Sequence, residues 1–257
     1  NTHYLGFNAN MLANEMFIDT AVSRASAVSH AKALGYTPSS MKATKAVITV
    51  VISNVPLTQT TLTIPAGTAF NTTVDETLYQ FVTVSDSTVT SDTGIFQFDE
   101  LEVYEGTRVQ FQYTVNSTNL EQQFIIPSAA VDTSTLVVRV QNSSSDTTTT
   151  TYTLNTDFAT LDSTSTRYFL QEIENGQYEI YFGDGNVGKK PIDGNIIILN
   201  YVITNGGLAD GASSFTAASS IGGYTNISVT TVTSASGGSS AESVDSIKFN
   251  APLKYAS

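Results

Sequence analysis

The feature that most constrains the fold is an alternation of apolar and polar side chains that begins at Lys45 and recurs in short segments. A period of two places every second side chain on one side of a β-strand, whereas an amphipathic helix needs a period near 3.6. Thr, Val, Ile, Tyr and Phe, which favour strands, are common in these segments. We therefore predict strands at 45–52, 60–70 (broken at Pro65, with a turn at Ala66–Gly67), 78–84, 95–106, 107–115, 121–127, 134–141, the end of 143–154, 167–173, 177–182, 195–203 and 226–233.

Turn residues predict how some of these strands are joined. Asn175–Gly176 is a strong hairpin signal between 167–173 and 177–182. Glu105–Gly106 predicts a second hairpin, between 95–106 and 107–115. The nearly continuous apolar run at 195–203 indicates a strand that is buried on both faces.

Two helices are predicted, one near each end of the chain. Apolar residues at three- and four-residue steps predict a long helix at 10–34, with Gly35 as its C-cap. Its periodicity leaves open whether it packs on this chain or on a partner chain. Ser239 and Glu242 have capping-box spacing, which predicts a short C-terminal helix that Pro252 ends.

These elements predict an α+β fold that is mainly β. We expect a long N-terminal helix, then antiparallel sheets of a sandwich-like kind, then a short C-terminal helix. The predicted division is a helical segment at 1–44, an antiparallel β domain at 95–204, and a smaller α+β domain with Gly/Ser-rich loops formed by 45–94 and 205–257.

Composition excludes several classes of function. The net charge is −12, from 11 basic and 23 acidic residues, and the only basic pair that stands out is Lys189–Lys190. Nucleic-acid or anionic-membrane binding through a basic face is therefore not expected. The chain has no cysteine, which excludes disulfides and thiolate chemistry, and no apolar run long enough for a membrane span. Because it begins at Asn1 without a signal peptide, we expect it to be a fragment.

Candidate catalytic residues are few. His3 and His30 are the two histidines, and neither has local support for a triad or a zinc site. Two acidic sets, Asp99–Glu100–Glu102 and Glu172–Glu174–Glu179, have the carboxylates that glycoside hydrolysis needs. A solvated strand face explains both sets equally simply, and we favour that interpretation.

The stretch "YEIYFGDGNVGKKPIDGNIIILNYVI" at 178–203 contains a glycine-rich loop. Gly183 and Gly188–Lys189 have phosphate-loop spacing, but Lys190 replaces the required Ser/Thr and a strand follows instead of a helix. A late glutamate for an EF-hand is also missing. We predict instead a shaped hairpin connection that holds one pair of core strands, in which Gly183, Gly185 and Gly188 adopt positive φ and Asp184 binds nearby amides.

Five stretches in order resemble the baseplate J-like family of contractile phage tails. They are "FIDTAVSRASAVSHAKALGYTP" (17–38), "LTIPAGTAF" (62–70), "VDTSTLVVRV" (131–140), "YEIYFGDGNVGKKPIDGNIIILNYVITNGG" (178–207) and "GGSSAESVDSIKFNAPLKYAS" (237–257). Within this family the chain is most similar to the large wedge subunits of T4-type phages, and it would correspond to a C-terminal portion of such a subunit. The family-signature loop comprises Phe182, Gly183, Asp184, Gly185, Gly188, Pro191 and Gly194.

The resemblance implies a structural subunit rather than an enzyme, with no catalytic residues, cofactor, metal or small-molecule substrate. It implies a homodimer within a ring around the central hub, contacts with other wedge proteins, and transmission of the contraction trigger. It also implies location in the virion baseplate after assembly in the host cytoplasm, and no nucleic-acid or membrane partner. Candidate interface residues are Phe17, Val22, Val28, Val244 and Ile247.

Two alternatives remain at this point. The Ser/Thr-rich loops and 12 tyrosines are compatible with a cell-surface adhesive or carbohydrate-binding β domain. The set Glu172–Glu174–Glu179 is compatible with a β-rich glycosidase.

Overall fold

The computed structural model describes residues 11–155 and 161–256 of the chain. Two curled β-sheets, each with its own apolar core, contain most of these residues, and a small helical layer lies against the second sheet. The mainly β prediction with a short C-terminal helix is confirmed. The two cores are separate, so the sheets do not face each other across one shared core as in a sandwich.

The described helices are α1 (residues 11–15), α2 (Arg24–Ala33) and α3 (Val244–Ala256). The strands are β1 (Lys45–Ile52), β2 (Thr61–Ile64), β3 (Ala69–Val74), β4 (Thr77–Val82), β5 (Ser87–Thr90), β6 (Phe96–Glu105), β7 (Thr107–Thr114), β8 (Phe124–Ile126), β9 (Val131–Gln141), β10 (Thr149–Leu154), β11 (Arg167–Glu172), β12 (Tyr178–Phe182), β13 (Ile196–Ile203), β14 (Thr216–Ala217) and β15 (Ile227–Ser236). Short 3₁₀ turns occupy Glu174–Gly176 and Gly206–Ala209. None of the helices in the described ranges is long and apolar enough to cross a membrane.

The first sheet has six strands in the order β14-β3-β4-β6-β1-β15, and its neighbours pair antiparallel. Alternate side chains of β1, such as Ile48 and Val50, enter its core, as the period-two pattern predicts. The strands at the two ends of the order, β14 and β15, contact each other, so the sheet curls nearly into a barrel. β2 and β5 form a separate two-stranded sheet, and Leu62 and Ile64 of β2 pack onto the same core.

The second sheet has seven strands in the order β7-β13-β9-β10-β11-β12-β8. β10 and β11 are parallel, and the other neighbouring pairs are antiparallel. β13 lies between β7 and β9, and its residues from Leu199 to Val202 are all buried. The prediction of a strand buried on both faces is therefore confirmed for this part of β13.

The predicted long helix at 10–34 is wrong; residue 10 lies outside the described part, and the rest forms two short helices. Between them the Glu15 carboxylate accepts hydrogen bonds from the N–H groups of Val22 (3.1 Å) and Ser23 (3.2 Å). The Thr20 hydroxyl also donates to the Asn14 carbonyl at 2.6 Å. Such side-chain bonds compete with helical backbone bonds, and apolar periodicity does not reveal them. The C-cap at Gly35 is confirmed by its φ of 72°.

The predicted start and end of the C-terminal helix are also wrong. Ser239 forms a β-bridge with Lys42, and the helix begins at Val244 with the Ser243 hydroxyl accepting from the Ser246 N–H. Pro252 lies inside α3 rather than ending it.

Strand pairing corrects two predicted connections. The predicted Glu105–Gly106 hairpin is wrong, because β6 pairs with β1 and β4 in the first sheet while β7 pairs with β13 in the second. The glycine-rich loop does not join a strand pair, since β9, β10 and β11 separate β12 from β13. The Asn175–Gly176 hairpin is confirmed by the antiparallel pairing of β11 with β12.

Buried carboxylates fasten the two sheets where the chain crosses between them. The Glu105 carboxylate, 1% exposed, accepts hydrogen bonds from the Thr204 hydroxyl (2.6 Å) and from the N–H (2.9 Å) and side-chain amide (2.7 Å) of Asn205. The equally buried Asp132 accepts from the Ala43 N–H at 2.8 Å. We call this region the inter-sheet junction. Because the described donors satisfy these buried charges, the two sheets are held in one arrangement.

Candidate functional site

The signature loop (residues 182–194) folds back on itself. Gly185 N–H donates to the Gly188 carbonyl at 3.1 Å, and Gly185 and Gly188 have φ values of 96° and 83°. A Cβ at Gly183 would lie 2.2 Å from the Gly188 carbonyl oxygen, so no larger residue fits there. The predicted positive φ is confirmed at Gly185 and Gly188 and is wrong at Gly183, where close approach to Gly188 is what excludes a side chain.

Asp184 shapes the tip of the loop. Its Oδ1 accepts from the N–H groups of Asn186 (2.8 Å) and Val187 (2.9 Å), which is the predicted binding of nearby amides. The Val187 and Asn186 N–H groups together hold the pKa of the Asp184 carboxyl below its usual value. This oxygen is thus already used by the loop itself.

The rest of the loop is tied to neighbouring segments. Gly188 N–H donates to the Asp162 carbonyl (2.9 Å), and Lys189 N–H donates to the Ser165 carbonyl (2.8 Å). Further along, Gly194 N–H donates to the Val115 carbonyl at 2.9 Å, and Pro191 is buried. Within the described residues, no group of three or more His, Asp or Glu side chains is placed to hold a metal ion. The arrangement fixes the loop across the end of the second sheet.

The candidate interface residues divide into two groups. Val28 and Ile247 are buried, and Val244 packs beside them, in a cluster between α2 and α3 that also contains Ala27 and Ala31. The α2 seam therefore packs on this chain's own C-terminal helix, which answers the question that periodicity left open. Phe17 and Val22 are 65% and 75% exposed and remain available for contact.

Glu242 anchors the helical layer. Its carboxylate accepts from the Tyr36 hydroxyl (2.9 Å), the Ser39 N–H (2.9 Å), the Ser246 hydroxyl (2.8 Å) and the Asn250 amide (2.9 Å). Burial alone raises the pKa of Glu242, but these hydrogen bonds outweigh it and lower the pKa below its usual value. Burial and this carboxylate raise the pKa of Tyr36 to about 12.

Arg24 links the helical layer to the second sheet. Its guanidinium forms two bonds to the Glu172 carboxylate, at 2.7 and 3.0 Å, and a third to the Glu242 carbonyl. Glu172 is 2% exposed. Nearby, the buried Tyr178 hydroxyl donates to the Pro38 carbonyl at 3.0 Å. Two of the sequence motifs, 17–38 and 237–257, thus meet at Glu242, and the first also meets the 178–207 motif at Tyr178.

The geometry does not support the paired-carboxylate hypothesis at 172–179. Glu172 lies opposite Tyr178, and Gln171 lies opposite Glu179, so the side chains of Glu172 and Glu179 are on opposite faces of the sheet. Glu172 is also ion-paired with Arg24. The two carboxylates therefore cannot flank one bond of a substrate.

The other candidates of the sequence analysis have structural surroundings. Asp99, Glu100 and Glu102 are exposed on β6, and Glu102 pairs with Lys45 at 2.9 Å. The His30 Nε2 lies 2.9 Å from the Glu15 carbonyl oxygen, while His3 lies outside the described residues. The solvated-face interpretation agrees with the exposure of the 99–102 set.

Exposed apolar side chains concentrate on the helical layer. α3 presents Phe249 (70% exposed), Leu253 (56%) and Tyr255 (73%) on its outer side, while Ile247 and Ala251 are buried on its inner side. Residues 11–22 present five more: Met11, Leu12, Met16, Phe17 and Val22. A helix with apolar side chains on both sides and only one side covered has the chemistry of a protein-contact surface.

Sequence reasoning missed the roles of Arg24, Glu105 and Asp132, and it assigned Glu242 only to a helix cap. Their partners lie far away in the sequence: Arg24 and Glu172 are 148 residues apart, and Tyr36 and Glu242 are 206 apart. The available signal was the scarcity of charge, since a charged residue inside an apolar strand or seam needs a partner.

Comparison with known proteins gives one curated relative at high significance. The baseplate wedge protein gp6 of Enterobacteria phage T4 is 28% identical over 247 residues, covering 89% of this chain and 36% of the relative. The chain is a distant relative of the baseplate wedge family. This chain therefore spans about a third of the length of this T4 relative. No protein-family profile matches the sequence.

Proposed function

We propose that this chain is a structural subunit of a contractile-tail baseplate wedge in the virion. The observation that carries the proposal is the alignment with the T4 wedge protein over 89% of the chain, which runs through both sheets. In this role the chain works by protein–protein contact and not by catalysis. It forms a homodimer and, with other wedge proteins, a ring around the central hub, and rearrangement of that ring transmits the contraction trigger.

The helical layer supports this proposal. Phe249, Leu253 and Tyr255 on α3 are more than half exposed, and burial of such side chains stabilises an interface by about 1.5–3 kcal/mol each. The network around Glu242 fixes α3 on the rest of the chain, so the apolar surface is presented in a defined orientation. The signature loop supplies a second fixed surface at the end of the second sheet. The division expected from the sequence, into a helical segment and two β regions, remains part of this proposal.

The decisive experiment is co-expression of the full-length protein with the other wedge proteins of its phage, followed by size-exclusion chromatography and electron microscopy. A ring or hetero-oligomer is the expected product. A protein that remains monomeric with every wedge partner present overturns the proposal.

A matched pair of variants tests the surface. Phe249→Ser with Leu253→Ser removes two exposed apolar side chains from α3, and assembly should fall by tenfold or more in apparent affinity, about 1.4 kcal/mol. Leu57→Ser with Leu120→Ser removes two leucines elsewhere that are more than half exposed and should leave assembly unchanged. Equal loss in both variants, or in neither, contradicts the role of α3.

A further inference from the structure

Three of the chain's four arginines lie on one face of the second sheet. β13 pairs Val202 with Arg108 of β7 and Ile198 with Arg139 of β9, so both arginines share the face of alternate β13 residues 198, 200 and 202. β10 continues this face, because Thr151 pairs with Arg139 and Thr153 pairs with Arg167. Residues directly opposite in neighbouring strands extend to the same side of a sheet. We call this the arginine face.

The arginine face is open to solvent at Arg139 and Arg167, but its other end is covered, because Asn200 and Val202 are buried and Val202 packs with Val82 of the first sheet. The opposite set of side chains, including Ile197, Leu199 and Tyr201, forms the buried core. Arg139 and Arg167 are exposed, and Arg108 is half-buried. Exposed, uncharged polar residues surround Arg139 and Arg167, and include Gln112, Thr149, Thr151 and Thr153, whereas Arg108 pairs with the buried Val202, which on its other side pairs with the buried Asp132.

The charge of this face is not neutralised within the described residues. The ion pairs among the described residues are Arg24–Glu172 and Lys45–Glu102, and neither involves an arginine of this face. Burial first and the Arg139 charge second lower the pKa of Arg108, and the nearby Asp86 carboxylate opposes this shift. Asp86 therefore partly offsets the Arg108 charge, and Arg167 donates to the Thr153 hydroxyl, so the positive charge of this face that has no described ion pair is greatest at Arg139 and Arg167.

The centre of this face is closed to solvent. Asn200 lies between the two arginine-bearing strands, opposite Gln110 and Val137, and is 2% exposed. Its Oδ1 accepts no hydrogen bond from any described residue. Because a carboxylate has no hydrogen to donate and Asn200 is closed off from solvent, this oxygen belongs to the covered part of the face and is not a contact for a docked acidic segment.

We propose that the arginine face is a docking surface for an acidic segment of a partner protein, one that presents carboxylates to Arg108, Arg139 and Arg167. The planar guanidinium binds a carboxylate through two parallel hydrogen bonds, and arginine is enriched at the energetic centres of interfaces. Charge complementarity selects an acidic partner. A protein segment with a few carboxylates matches three arginines in number, whereas the net charge of −12 repels a dense polyanion such as nucleic acid more strongly. The inference rests on the proposed function only in that the chain acts by contacting other proteins.

The test is fluorescence anisotropy of the full chain with a short labelled peptide in which Glu alternates with Thr. The wild-type protein should bind it at low ionic strength and should lose it as salt screens the charges. The triple variant Arg108→Gln, Arg139→Gln, Arg167→Gln should weaken binding by tenfold or more. A matched peptide with Gln in place of Glu should not bind.

A control variant separates this face from net charge. Lys42→Gln, Lys189→Gln, Lys190→Gln makes the same charge change at three exposed lysines outside the face and should bind the peptide like the wild type. Equal loss in both triple variants, no loss in the arginine variant, or tighter binding of a DNA oligonucleotide overturns the proposal. If the triple arginine variant does not fold, the exposed single variants Arg139→Gln and Arg167→Gln should each still weaken binding, and unchanged binding in both overturns it.

The outcomes for the two proposals are separable. If the arginine variant loses peptide binding and the wild-type protein remains monomeric with all wedge partners present, the docking-surface proposal is supported and the wedge function is rejected. If the wild-type protein assembles with wedge partners but does not bind the peptide, only the docking-surface proposal is rejected.

Discussion

The inter-sheet junction and the signature loop use the same device at opposite degrees of burial. In each, a carboxylate accepts hydrogen bonds from backbone N–H groups: Glu105 and Asp132 at the junction, and Asp184 in the loop. The junction carboxylates are 1% exposed, whereas Asp184 is exposed to water. Water replaces the lost bond at an exposed group and cannot do so at a buried one. The same local motif therefore holds the fold together in one region and only shapes the chain in the other.

The largest expected effect is at Gly106, where the chain passes between the sheets. Its φ is 121°, and a Cβ there would lie 2.0 Å from the Ile203 carbonyl oxygen. Gly106→Ala should therefore lower the free energy of unfolding by more than about 3 kcal/mol, measured by urea denaturation. Gly211 is a matched control, because its φ is 90° with no atom within 4 Å of a Cβ. Gly211→Ala should cost only the backbone strain, about 1–2 kcal/mol, and equal effects would contradict the close-packing argument.

The comparison itself is tested by one isosteric change in each region. Glu105→Gln replaces one carboxylate oxygen with an NH₂ group, which faces a hydrogen-bond donor and can no longer accept from it. The change should lower the free energy of unfolding by about 2–3 kcal/mol. Asp184→Asn makes the equivalent change in the loop and should have a clearly smaller effect in the same urea titration. A loop variant as unstable as the junction variant would show that burial does not govern the difference.

Glu242 lies between these extremes and adds a dependence on pH. Its pKa is lower in the folded protein than its usual value of about 4.3, so its stabilisation is complete above that value and is lost as the pH falls through the folded pKa. The melting temperature of Glu242→Gln should therefore lie clearly below that of the wild type at about pH 7, and the difference should be smaller at about pH 3. Glu121→Gln, at an exposed glutamate, should show no such change. Parallel curves for the wild type and Glu242→Gln would contradict this assignment.

Strand positions could be predicted because they depend on local pattern, whereas their pairing depends on distant contacts. The alternation around Ile48 and Val50 placed β1 without information from the rest of the chain. Glu105–Gly106 has the local sequence of a hairpin turn, but Gly106 N–H donates to the Gln80 carbonyl and its strands enter different sheets. The two-residue strand β14 and the Ser/Thr strand β5 have no apolar run to detect.

The candidate site divides in the same way. Gly185, Gly188 and Asp184 of the signature loop could be predicted, because positive φ and short-range side-chain bonds follow from neighbouring residues. The anchoring role of Glu242 could not, since its donors come from residues 36–39 as well as from α3. The arginine face also escaped prediction, because Arg108, Arg139 and Arg167 are separate in sequence and meet only through the order of the strands.

The strand order has a consequence for synthesis of the chain. β1 leaves the ribosome long before its edge partner β15, which pairs Ser236 with Lys45. β7 and β9 likewise wait for β13, which inserts between them. Contacts between residues so far apart in sequence form slowly, because a long loop must close before any pairing stabilises it. Both sheets therefore leave the ribosome with an open edge, and a nascent chain stopped before residue 196 exposes strands that can pair with another copy.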